Sequence, residues 1–500
     1  MSTRRGSVPQ LRRRRLGVIH LVFFTVSASA PLAVLAGGDT TTFAITGNTA
    51  VPLSFVVLAL VLALFAVGYA AMSRHVANAG AFYSYLARGI NRPAAVAGAF
   101  VALISYNGIQ IALYGLFGFG MSGFLKDGFG IEITWWIGAL IAFVLVGVLG
   151  LLRVDLNAAV LAVLLILECL VTALYDVGAF MHPAGPGVFA AGFDPLPLLG
   201  PTGPAVFSFG IAAFIGFESS AIYSEECKDP RRTVARATYA TLAFTGIFYS
   251  LSAWAMEVNV GPDNLQQQAT ENGPGLVFAA LAEHWGPSAA FLASMLLLTS
   301  TFAGLLSFHN AVARYLFALG RERVLPEVLD TVGARSGGPV AGSLLQSLTA
   351  LVVLLIFIAT GADPMLQVFT WPGAVATLGV VLLMAGTAVS VVGFFRSNPR
   401  DTTLWQRTIA PASAAVLLGI LVILLVVKFD VMIGDSASPL RYILPALVLG
   451  AAVAGYIWGL VLKSRRPDVY AGIGNVALAP EADVLQLDLP ALPTGQHRQR

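Results

Sequence analysis

An all-α protein that crosses a membrane twelve times is what three features of this chain predict. Long apolar runs recur from end to end, only 11% of its 500 residues are charged, and those charges sort by side. Soluble globular proteins carry about 25% charged residues, whereas 57% of this chain is hydrophobic, so a water-soluble fold is excluded. The 29 Lys and Arg against 26 Asp and Glu leave a net charge of +3, which points to no polyanionic partner such as nucleic acid.

A spanning helix needs about 20 mostly apolar residues to cross roughly 30 Å of hydrocarbon. The first run, 17–36, follows a basic tail (1–16) and resembles a signal peptide in outline. Pro31 interrupts it and eleven more runs follow, so it reads as an uncleaved first helix. The second covers 51–73, and the third, 93–124, is long enough to need a strong tilt. The fourth and fifth, 133–152 and 156–180, close a first half (17–180), which an outer loop (181–204) joins to a second (205–395). That half holds runs at 205–225, 236–258, 287–313, 340–359 and 366–395. A final pair, 409–428 and 441–463, lies in segment 396–463, and the tail 464–500 loses apolar periodicity and reads as disordered.

Twelve spans put both termini on one side, and the basic residues say which. Arg12 to Arg15, Arg74, Arg88, Arg92, Arg231, Arg321, Arg396 and Lys463 fall on the terminal side, while the opposite loops hold only Lys126, Lys428 and Arg441. The excess of Lys and Arg marks the cytoplasmic face. A multi-pass protein of the cell membrane with cytoplasmic termini is therefore expected.

Several motifs of soluble chemistry fail. Gly118, Gly120 and Gly123 spell G-x-G-x-x-G inside a membrane run with no strand before it, so close helix packing is the better reading than a dinucleotide site. No P-loop is present, and the six histidines lack metal-ligand spacing. Cys169 and Cys227 are too far apart in the topology to pair. No cofactor, no metal and no enzymatic activity are expected. A membrane sensor is the rival class, yet no soluble signalling domain accompanies the spans, and no His/Asp or Ser/His constellation suggests an intramembrane enzyme.

Two spans carry signs of interruption. In the first, Ser27-Ala28-Ser29-Ala30 precede Pro31, which lacks a backbone donor and clashes with the preceding turn. A simple proline kink, tolerated in membrane helices, would give the same pattern. In the sixth, Phe214-Ile215-Gly216-Phe217-Glu218 places a carboxylate where insertion costs roughly 2.5 to 3.5 kcal/mol, beside a glycine that permits local unwinding. Glu218 either faces a cavity, a partner or a proton, or bonds a neighbouring helix without further role. The two interruptions sit in oppositely directed spans separated by four continuous ones, the spacing that two inverted five-helix repeats produce around a midplane site. Polar residues also align at helical spacing: Asn157, Glu168, Thr172 and Tyr175, with Asp176 at their edge, in the fifth span; Asn107, Gln110 and Tyr114 in the third; Ser300, Ser307 and Arg314 in the eighth. Each stripe is either interhelical hydrogen bonding or the wall of a water-accessible path.

Three motifs resemble one family. The stretch from Arg314 to Pro326, RYLFALGRERVLP, is similar to the R-x-L-F-A-x-G-R-x-x-x-L-P motif of the amino acid-polyamine-organocation permeases. Phe214 to Glu218 followed by Glu225-Glu226 and Asp229-Pro230-Arg231-Arg232-Thr233 resembles that family's sixth helix and cytoplasmic loop, and Ala79 to Tyr83 resembles its G-G-x-Y stretch. The likeness runs from about 17 to 463 and is closest to the amino acid permease type. It implies a leucine-transporter-like core of five plus five inverted helices, with helices 1 and 6 discontinuous and two helices added.

By this resemblance, the substrate would lie at the two breaks, against Ser27, Ala28, Ser29, Ala30, Asn107, Gln110, Phe214, Gly216, Phe217 and Glu218. Its ammonium would face main-chain carbonyls of helices 1 and 6, and its carboxylate the amides of the outer half of helix 1. The chain departs from the family twice: Ser27 to Pro31 replaces a G-x-G-type break, and Glu168 stands where several members carry a lysine. The implied activity is secondary active transport, by alternating access, of an amino acid or related amine, with proton-coupled import as the leading mechanism and antiport as the alternative. Glu218 and Glu168 are the proton-coupling candidates. Partners would be the small-molecule substrate, protons and membrane lipid.

Overall fold

A computed structural model describes residues 17–76, 81–152, 158–185, 187–218, 230–333, 337–397, 399 and 401–474. Residues 1–16, Ala79, Gly80, Asn157, 219–229 with Glu225, Glu226, Cys227 and Asp229, and 475–500 lie outside the described residues. Among the described residues the chain is helical, apart from an isolated bridge between Val332 and Pro339.

The first span is two helices, α1 (Val18–Ser29) and α2 (31–46), the latter containing a π-helical stretch, Val34–Asp39. Next come α3 (Val51–Ser73), the short α4 (Ala81–Gly89), α5 (Arg92–Phe129), α6 (Trp135–Leu151) and α7 (Ala158–Met181). A loop with 3-10 turns leads to α8 (Gly203–Ala212), and the next described helix is α9 (Pro230–Val260). Two helices, α10 (Pro262–Asn272) and α11 (Gly275–Trp285), lie before α12 (Pro287–Arg321). The chain continues with α13 (Val340–Ala359), α14 (Thr370–Ser397), α15 (Ala410–Val427), the short α16 (Phe429–Ile433), α17 (Leu440–Arg465) and α18 (Pro467–Gly472).

Eight of these segments, Val51–Ser73, Arg92–Phe129, Val160–Met181, Pro287–Arg321, Val340–Ala359, Pro364–Ser397, Trp405–Val427 and Leu440–Arg465, are long and apolar enough to cross a membrane. Trp135–Leu151 and Gly203–Ala212 are apolar but shorter. The chain is thus an all-helical multi-pass membrane protein.

The first span runs ten residues beyond the end at 36 expected from the sequence. Gly37-Gly38-Asp39 followed by three threonines reads as a loop, yet Thr40, Thr42 and Thr46 each return a hydroxyl hydrogen bond to the carbonyl four residues back, on Ala36, Gly38 and Thr42. Those internal bonds satisfy the hydroxyls without breaking the helix, and packing against α10 supports the segment.

At 38 residues, α5 is the longest helix and the central post, in contact with α6, α12, α14 and α17. Gly118 explains one of these contacts: a Cβ there would lie 2.5 Å from the Trp135 carbonyl oxygen, so the glycine lets α5 meet the start of α6 backbone to backbone. Gly123, by contrast, faces open space. The apolar window of Pro364–Ser397 is 72% buried, against 28% for Val340–Ala359 and 22% for Leu440–Arg465. The segment Pro364–Ser397 is therefore interior, while Val340–Ala359 and Leu440–Arg465 present apolar side chains outward.

Candidate functional site

The break between α1 and α2 is made by one residue. Ala30 has φ 49 and ψ 80, the left-handed region that costs a non-glycine residue about 1 kcal/mol or more. Pro31 follows, so α1 cannot continue through it. Ser29, the last residue of α1, bonds back to the Val26 carbonyl at 2.8 Å and to the Tyr249 hydroxyl on α9 at 2.7 Å. Ser27 and Ala28 belong to the last turn of α1.

The amides that begin α2 have defined partners. Pro31 has none to offer, Leu32 donates to Glu168 Oε2 on α7 at 3.4 Å, and Ala33 and Val34 both donate to the Ala30 carbonyl, at 2.9 and 3.1 Å. These amides, expected from the resemblance to meet a substrate carboxylate, are taken here by the protein's own groups. Glu168 is buried and also hydrogen-bonded to Ser300 on α12, so one carboxyl ties α7 to the broken span and to the eighth.

The sixth span unwinds after α8. Ala213, Phe214, Ile215 and Phe217 donate to carbonyls three residues back, on Gly210, Ile211, Ala212 and Phe214, in a tight turn. Gly216 has φ 111, which its lack of a Cβ permits. Its amide donates to Glu218 Oε2 at 2.9 Å, and the Glu218 carbonyl accepts from the Tyr69 hydroxyl at 3.2 Å. Glu218 is thus buried as the cap of its own turn.

Between the two breaks lies a cavity of about 130 Å³. Ser29, Ala30 and the α2 residues Ala33, Val34, Gly38 and Asp39 form one wall. The turn after α8 contributes Ala213 and Ile215, α5 contributes Ile109, Leu113 and Leu116, and α12 contributes Ser300, Thr301 and Phe308. Phe369 and Thr377 of the tenth span close it. Among the described residues Asp39 is the only charged one in the lining, and its Oδ2 has no hydrogen-bond partner; the residue is 1% exposed.

The expected site residues divide. Ser29 and Ala30 line the cavity, while Phe214 and Phe217 are buried outside it, packed on Phe55 and Phe65 of α3 with ring centroids 6.3 and 6.0 Å apart. Gln110 is turned to α13, where it bonds Gln346, and to Tyr114 at 3.4 Å. Asn107 bonds the Leu103 carbonyl at 2.8 Å and holds its Oδ1 buried and unpartnered, away from the cavity wall. On α7, Glu168, Thr172, Tyr175 and Asp176 are all buried, and Asp176 accepts from Ser252 at 3.0 Å. Among the described residues no group of three His, Cys, Asp or Glu is placed to hold a metal ion.

A multi-pass helical protein with a small cavity at the meeting point of two interrupted spans belongs to the class of membrane transporters. The family model for amino acid permeases matches residues 20–464, and the chain belongs to that family, within the amino acid-polyamine-organocation superfamily. It is also similar to uncharacterized transporters of Mycobacterium bovis and Mycobacterium tuberculosis, with 29% identity over 206 residues, 39% of this chain and 42% of each relative. The match therefore spans about two fifths of the length of these curated relatives.

Proposed function

We propose that this permease is a secondary active transporter that imports an amino acid or related amine across the cell membrane by proton-coupled alternating access. The observation that carries the reading is the Glu168 carboxyl, which reaches from α7 to the Leu32 amide just past the break and to Ser300 on α12. A charged carboxylate accepts these bonds strongly, whereas a protonated one accepts them weakly. Proton arrival at Glu168 loosens α2 from α7 and α12, and proton release restores the hold. In this way one titration biases a broken span between two positions, the differential contact that a conformational change requires.

The architecture proposed is the five-plus-five inverted repeat with two added helices. The eight long spans, the two shorter apolar helices, the interrupted first span and α9 (Pro230–Val260) together give the twelve crossings of that plan. Both termini then share the face on which the basic residues collect, assigned to the cytoplasm by the positive-inside rule. The substrate occupies the cavity between Ala30 and Ile215. Glu218, second in the coupling role, holds the turn of the sixth span through the Gly216 amide.

Uptake into proteoliposomes with an imposed pH gradient tests the reading. Glu168→Gln is expected to abolish accumulation above equilibrium while leaving counterflow exchange in place. Full gradient-driven accumulation by this variant would rule Glu168 out as the coupling group. The same result for Glu218→Gln would leave Glu218 with its turn-capping role alone.

A further inference from the structure

We infer that the cargo of the central cavity is a small amine cation with an apolar body and no carboxylate group. This rests on the transport reading above and narrows its substrate class.

The argument begins with the anion-binding capacity of the breaks. A helix N-terminus attracts a carboxylate because its first amides lack partners. After the first break those amides are claimed: Leu32 by Glu168, Ala33 and Val34 by the Ala30 carbonyl, with none on Pro31. In the other break, Ala213, Phe214, Ile215 and Phe217 bond within the turn and Gly216 bonds Glu218. Among the described residues no Lys, Arg or His lines the cavity. A substrate carboxylate therefore meets, among the described residues, no unclaimed main-chain donor at either break and no cationic side chain.

Cation-binding capacity is present in the same space. Asp39 lines the cavity, is 1% exposed, and keeps Oδ2 without a partner. Two helices, α1 at Ser29 and α8 at Ala212, also end at this cavity, each presenting the negative end of its dipole. Adding a carboxylate beside Asp39 would set two anions together in a poorly solvated space, whereas an ammonium gives the aspartate the partner it lacks. The rest of the molecule would lie against Leu113, Leu116, Phe209, Phe308 and Phe369, which are apolar. In effect Glu168 supplies from the protein the carboxyl group that the cargo does not bring.

The test uses pairs that differ by one carboxylate: isoamylamine against leucine, and phenethylamine against phenylalanine. Binding to the purified full chain is measured by calorimetry, and counterflow is measured in proteoliposomes against protein-free vesicles. Each amine is expected to bind and exchange roughly tenfold or more tightly than its amino acid, the scale of one charge-assisted hydrogen bond. Asp39→Asn should weaken amine binding by about the same factor at unchanged thermal stability. If that variant does not fold, Asp39→Glu, which keeps the charge, should keep the preference for amines. Glu168→Ala frees the Leu32 amide and should let leucine compete. Equal or tighter binding of the amino acids with protein-dependent flux would overturn the assignment and leave transport standing. Amine binding without flux would overturn transport and leave the ligand class intact, and no binding by either member of both pairs would overturn the assignment.

Discussion

Ser29 on α1 and Tyr249 on α9 share a hydroxyl-to-hydroxyl hydrogen bond of 2.7 Å at the last residue before the first span breaks. The two members of the pair differ in what each has left without the other. Ser29 keeps its bond to the Val26 carbonyl, whereas the fully buried Tyr249 hydroxyl has only Ser29 in this contact. Tyr249→Phe, which retains the ring's tilted and edge-on contacts with Phe55 and Phe248, should cost about 0.6 kcal/mol, the usual worth of a hydrogen bond between membrane helices. Ser29→Ala strands the tyrosine hydroxyl and should cost more, about 1–3 kcal/mol. Thermal unfolding of the two variants in detergent should rank them in that order.

Ala30 gives a sharper contrast between substitutions. Its φ of 49 suits glycine, so Ala30→Gly removes backbone strain while adding freedom to the unfolded chain, and the two effects of about 1 kcal/mol each should nearly cancel. Ala30→Val puts a β-branched side chain into a conformation that such residues avoid. The expected result is near-normal stability and transport for glycine, and loss of folded protein on size exclusion for valine.

Gln110 and Gln346 bond one another in a buried contact between α5 and α13. Replacing either alone by leucine leaves an unpartnered amide and should destabilise by about 1–3 kcal/mol, while replacing both should cost less than the sum of the two, the remaining loss being the Gln110 bond to the Tyr114 hydroxyl. A double-mutant cycle on unfolding temperature measures this coupling. Substrate KM should stay unchanged in the double variant, because neither side chain lines the cavity.

The last span is held by two glycines one turn apart. A Cβ at Gly455 would come within 2.7 Å of the Ala97 Cα, and one at Gly459 within 2.6 Å of the Pro93 Cα, so α17 lies directly on the backbone of α5. Gly455→Val should lower stability by about 1–3 kcal/mol, as overpacking does, and should raise the accessibility of a cysteine introduced at Ala97 to a thiol reagent. Unchanged labelling would mean that α17 stays seated.

The sequence marks both breaks through particular residues: Pro31 after a run of small side chains, and Gly216 before a costly carboxylate. The wall between the breaks is harder to read, because cavity-lining positions such as Leu113 and Phe369 are chemically the same as core positions. Gln110 and Phe214 illustrate the opposite difficulty. A polar stripe or an aromatic beside a break is consistent with a binding surface, yet which neighbour each side chain turns to is decided by helices far away in sequence, α13 for Gln110 and α3 for Phe214. Asp39 was hidden for a local reason: glycines and threonines around it imitate a loop, and the hydroxyl bonds that keep it helical are not visible as apolar periodicity.

The π-helical stretch Val34–Asp39 changes how mutations in the first span count. Ala33 and Gly38, and likewise Val34 and Asp39, line the same cavity although each pair is five positions apart. In a regular α-helix, residues at that interval point roughly 140° from one another. The widened turn therefore behaves as a stored one-residue insertion. Deleting Gly38 should let the helix close to ordinary pitch with Asp39 still facing the cavity, now four places after Val34. A point substitution that tightens the turn at full length would instead rotate the carboxylate away. For this segment, shortening the chain is the gentler change, and a reading frame of five rather than four is what keeps its acid in the cavity wall.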